Sequence, residues 1–171
     1  TYPCVFYKKF GVLYMPKVHT NSENRVSPKF QERLLALIDE EEDPRKNVFI
    51  KNVGLTQDVI IRATIYAIVP SVKSLIKIAD YFDVSLSYLL GKTDTNDFYK
   101  SENPTTFHIR LRELSAGKKY GHIARTMPFS RNLFYDWLRE GTLPCLDYLE
   151  PLAKYFNVSM DYLLGRTDYK N

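Results

Sequence analysis

The residue types that most often carry catalysis are present but poorly arranged. Ser74-Leu-Ile-Lys77 has the spacing of a serine nucleophile with a lysine base one helical turn on. It falls in an ordinary amphipathic stretch, without the companion motifs that such chemistry uses. His19, His108 and His122 lack metal-ligand spacing. Cys4 and Cys145 are the two cysteines, with no CxxC, so neither a disulfide framework nor a zinc ligand set can be assembled from them. Asn157-Val-Ser159 fits a glycosylation sequon, and we read it as coincidence at a helix cap. No phosphate-binding loop or dinucleotide fingerprint occurs. The expectation is a protein that is not an enzyme, with no cofactor and no metal.

The elements that would position any site are organised by a repeat. Residues 144–168 align without a gap on residues 70–94 at a shift of 74, with 13 of 25 positions identical. The serine–lysine pair is not copied: Tyr148 and Pro151 stand in its place. A chain of 171 residues with such a repeat divides into two units of roughly 65 residues. The hydrophobic fraction of 44% and charged fraction of 26% are globular values. A net charge of +4 is compatible with an anionic partner. No apolar run approaches the ~20 residues a membrane span needs. No small-residue cleavage site marks a signal peptide. Sparse cysteine usage suits a reducing compartment, and we expect a cytoplasmic protein with no membrane association.

In chain order, residues 1–26 form an N-terminal arm rich in aromatic and β-branched residues, either a short hairpin or a loose segment. Ser27-Pro28 opens the first unit as N-cap and first helical residue. Phe30, Leu34, Leu37 and Ile38 then recur on one helical face. The acidic run from Asp39 to Asp43, followed by Pro44, ends that helix and reads as a solvated face. Helices are expected over 46–53 and 57–66, joined by Gly54-Leu55-Thr56. In that turn Gly54 supplies positive φ and Thr56 a cap. Helices over 71–82 and 86–90 complete the unit at residue 94. Residues 95–104 are a polar linker. The second unit, 105–171, repeats the plan, with helices over 120–127 and 131–140, the latter capped by Ser130. Pro151 falls inside the fourth helix, so that helix either starts late, near Tyr148, or is kinked.

RLLAL (33–37) and RLREL (110–114), the two helices around a short turn, the Pro-opened helix ending IADYF or LAKYF, and VSxxYLLGxTD together resemble the phage-repressor (Cro-like, XRE) class of regulators. The resemblance covers 28–94 and 105–168. It implies an all-α protein of two lambda-repressor-like five-helix helix-turn-helix domains in tandem, with the third helix of each laid in the major groove of double-stranded DNA. Two departures stand out. Ile50 replaces the expected small residue of helix two in unit one, and Pro128 replaces the expected turn glycine in unit two. A glutamate that many members pair with the helix-one arginine is absent: Thr64 and Leu138 stand there. Arg33 and Arg110 are therefore free to reach phosphates.

That fold places Thr56, Gln57, Asp58 and Arg62 of unit one, and Ser130, Arg131, Asn132, Tyr135 and Asp136 of unit two, toward base edges. Gln and Asn suit adenine and Arg suits guanine, because each pair forms two parallel hydrogen bonds. Lys118, Lys119 and Arg125 are candidate phosphate contacts, with Lys46, Lys51 and Arg139 beside them. Ile60, Ala63, Phe134 and Trp137 belong to the core. Val59, Ile61, Ile65, Tyr66 and Ile68 leave the third helix of unit one apolar nearly all round, which predicts burial against the other unit, a second chain or the arm. The expected function is a sequence-specific DNA-binding transcriptional regulator, a repressor of phage or mobile-element type. It would bind either as a single chain with two unlike readers on an asymmetric site or as a homodimer through unit two. The competing reading is a protein-interaction module on the same scaffold, with its partner on the apolar third helix of unit one.

Overall fold

A computed structural model describes residues 25–139 and 142–170. The described residues are all-helical, with five helices in each repeat. Unit one holds α1 (Pro28–Asp39), α2 (Lys46–Val53), α3 (Gln57–Ile65), α4 (Val72–Tyr81) and α5 (Leu86–Leu89). Unit two holds α6 (Phe107–Ser115), α7 (Tyr120–Thr126), α8 (Arg131–Arg139), α9 (Leu146–Phe156) and α10 (Met160–Leu163). Among the described residues no helix is long and apolar enough to cross a membrane.

The sequence signals act locally as physics requires. Ser27 accepts from the Phe30 amide at 3.3 Å, with Pro28 behind it at the start of α1. Ser85 and Ser159 do the same for α5 and α10, accepting from Tyr88 and Tyr162 at 3.0 Å. Gly54 closes α2 in the left-handed region at φ 65°. Thr56 differs: it sits at the N-cap of α3, but its hydroxyl makes no capping bond. In unit two the turn is built without a left-handed residue. Met127 is extended at φ −109°, ψ 156°, because Pro128 excludes the helical region from the residue before it. The acidic run is only partly a solvated face. Glu41 accepts from the Tyr81 hydroxyl at 2.8 Å, and Asp43 chelates the Arg45 guanidinium, Nε at 2.7 Å. α9 spans Leu146–Phe156 with Pro151 inside it, so it does not start late at Tyr148. It ends at Asn157, which takes the left-handed cap that glycine usually fills.

The core runs continuously through both units. Phe30, Leu34, Ile60, Leu75 and Leu86 are fully buried in unit one. Unit two is filled by an aromatic cluster in which Phe129 meets the rings of Trp137 at 4.8 Å and Tyr148 at 5.6 Å. Arg25 and Val26, which lie in the stretch we read as the arm, pair with the turn after α3. Val26 bridges Ile68, and the Val69 amide donates to the Arg25 carbonyl at 2.8 Å. The rest of the arm, 1–24, lies outside the described residues.

The units meet through α5 and α10. Arg166, 7% exposed, crosses from unit two to bond Asp80 at 2.9 Å and the Val84 carbonyl at 3.1 Å, while its other edge contacts Asp161. Asp161, 2% exposed, accepts from the Leu86 amide at 3.0 Å. Burial pushes the Asp161 carboxyl up, and Arg166 works against that shift. Outside the pair, Glu150 gathers Arg25 at 3.0 Å and Lys92 at 2.8 Å. The linker is fixed at both ends. Asn96 accepts from the Ser85 amide and donates to the Asp83 carbonyl, and the Ser101 amide donates to the Arg166 carbonyl.

Candidate nucleic-acid interface

α8 separates cleanly into two faces. Phe134, Trp137 and Leu138 are buried, while Arg131, Asn132, Tyr135 and Asp136 are exposed. The inner face is held by the aromatic cluster, and by Arg112, whose Nε donates to the Leu138 carbonyl at 2.6 Å. Ser130 is spent on structure: its hydroxyl accepts from the Leu133 amide at 3.3 Å. Tyr135 is 38% exposed because its ring stands edge-on to Tyr120 of α7 at 5.8 Å. That contact orients Tyr135 and ties α8 to α7.

Beside the start of α8 lies an open groove of about 460 Å³ lined by Gly121, Ala124, Arg125, Met127, Ser130 and Arg131. Two guanidiniums border it. Arg125 is turned by its own helix, Nε donating to the Gly121 carbonyl at 3.1 Å. A Cβ at Gly121 would stand 4.0 Å from Cδ of Arg131, an ordinary contact, so the Arg131 stem runs alongside the start of α7. Lys118 and Lys119, at the start of α7, are exposed. The structure thus brings Arg125, Ser130 and Arg131 to one groove. Gly121 and Tyr120 are contributors that sequence reasoning missed. A glycine interrupting a helical pattern was the available signal.

Unit one is arranged differently. Thr56, Gln57 and Asp58 are exposed at the start of α3, whereas Arg62 is half-buried along a cleft with Val59, Ile68 and Ser71. Ile60 and Ala63 are buried as expected. Of the remaining apolar face, Val59, Ile61 and Ile68 are half-buried, Ile68 being bridged to Val26 of the arm, while Ile65 is 57% and Tyr66 62% exposed and the other unit does not cover them. The unit contact is made by α5 and α10 instead, which turns this end of α3 outward.

Arg33 and Arg110 do not reach outward as expected. Each lies over the tyrosine of its own repeated block, 4.1 Å from the centroids of Tyr88 and Tyr162. Each is also paired with the aspartate that closes that block, Asp94 at 3.5 Å and Asp168 at 3.4 Å. With the glutamate missing, the arginines take partners from VSxxYLLGxTD instead. Ser74 and Lys77 each bond another group. Ser74 bonds Ser71 at 3.1 Å, and Lys77 donates to the Gly54 carbonyl at 2.8 Å, holding the end of α2. No protein-family model matches the chain, and no curated protein or solved structure matches it.

Proposed function

We propose that this chain is a cytoplasmic, non-enzymatic regulator that binds double-stranded DNA by sequence, of the phage or mobile-element repressor type, and that α8 is its principal reader. The observation that carries the reading is the division of α8. Arg131 and Asn132, the two side-chain types best suited to guanine and adenine, project beside each other from a helix whose opposite face is locked in an aromatic core. Arg125, Lys118 and Lys119 flank that face with positive charge for phosphates. Asp136 and Tyr135 complete the exposed surface and would restrict which bases are accepted.

Selection from a random duplex pool tests this reading. It should enrich a defined sequence, and binding should weaken with salt at a log–log slope of about −4 to −5, for roughly five phosphate contacts. An unenriched pool together with no retention on heparin at low salt would refute it. A second reading is favoured by the exposure of Ile65 and Tyr66: α3 of unit one then docks a protein partner instead of reading bases. Under that reading Ile65→Glu abolishes partner capture while leaving DNA affinity through unit two intact.

A further inference from the structure

The contact between the units has the geometry of a two-fold pair but not its chemistry. α5 packs on α10, its own equivalent in the repeat. A cavity of about 170 Å³ at this contact is lined by equivalent positions from both units: Ser85 with Ser159, Ser87 with Asp161, Thr93 with Thr167. Equivalent residues share one small cavity where a rotation axis relating the units passes through it, and the placing of Arg166 on α4 and of its equivalent Lys92 on α9 makes that rotation approximately two-fold. In an isologous interface every contact would occur twice. Here each occurs once. Arg166 bonds Asp80, but the reciprocal positions are Lys92 and Lys154. Asp161 accepts from the Leu86 amide, but its counterpart is the short, neutral Ser87. Lys92 pairs with Glu150 instead, and the unit-one counterpart of Glu150 is Ile76.

We infer that the α10 face of unit two is built to accept unit one and to reject a second unit two, so that one chain is a self-contained pair of unlike units. Two copies of unit two set together on this axis would place each Arg166 against the other's Lys154, a like-charge contact at both ends. Each Arg166 would also lose the carboxylate of Asp80, which is costly for a guanidinium 7% exposed. The linker favours partners from the same chain. Its ends are held at Ser85 and Arg166, on the two sides of the contact itself. The inference rests on the packing and not on DNA binding, and it stands or falls independently of that reading.

The test uses the full chain, weighed by sedimentation equilibrium and followed by amide exchange at Leu86, whose N–H is held by Asp161. The natural chain should stay at 20.0 kDa with a protected Leu86 amide. Asp80→Lys should remain monomeric while Leu86 exchange rises by about tenfold or more. Asp80→Asn, a milder change at a side chain 41% exposed, should give a smaller rise in the same direction, with circular dichroism unchanged. The combined variant D80K/K92A/K154D repels within the chain and offers each Arg166 a carboxylate from a second unit two, so its mass should double. A dimeric natural chain, a Leu86 amide still protected in Asp80→Lys, or a combined variant that stays at the monomer mass would each overturn the inference.

Discussion

At the scale of single residues, what side chains do here depends on which atoms they find, and that decides the candidates. Arg131 and Asn132 are exposed on a fixed helix, so replacing either with alanine should cost roughly 1–3 kcal/mol against the selected DNA site while leaving thermal stability unchanged. Fluorescence anisotropy and a melt of the same samples check both halves of that expectation. Ser130→Ala should instead weaken the fold, by about 1 kcal/mol, since its hydroxyl caps α8. Asp43 provides a pH test. The bonds from Arg45 hold its carboxyl below the ordinary aspartate value. A lowered folded-state value means that the pair's small stabilisation is complete above the ordinary value and is lost as pH falls through the lowered one. NMR titration of the Asp43 carboxyl should show this, and Arg45→Ala should return it to the ordinary value.

At the scale of elements, the repeated block and the variable helices behave as two classes. Glycines that close α5 and α10 face other chain segments tightly: a Cβ on Gly165 would stand 2.6 Å from the Thr105 carbonyl carbon, at φ 75°. Gly117 has φ 73° but nothing within 4 Å. Gly117→Ala should therefore cost only the left-handed strain of about 1–2 kcal/mol, and Gly165→Ala clearly more, as measured by urea denaturation of each variant. The capping serines, the helix spans and the buried stripes were legible in the sequence, because a cap and a 3.6-residue stripe are set by neighbours three or four positions away. The destination of the apolar face of α3 was not legible. Periodicity reports that a face is apolar, not whether another element arrives to cover it.

At the scale of the whole molecule, two frames that match at 13 of 25 positions carry a contact made of unmatched charges. If the chain binds DNA as a single pair of unlike units, the selected site should have two dissimilar halves, and the complex should contain one chain per duplex by native mass spectrometry. By itself the sequence determined the duplication, the all-α class and the position of nearly every helix, since these follow from local spacing and from identity at a fixed shift. Only the tertiary structure decided the partners of Arg33, Arg110, Asp161 and Arg166. Those partners lie more than 50 residues away or across the unit boundary, apart from the local Asp161–Arg166 and Arg110–Glu113 contacts. Charge pairing acts over a few ångströms in space, and one chain read alone does not say which of its many carboxylates and carbonyls folding will bring within that reach.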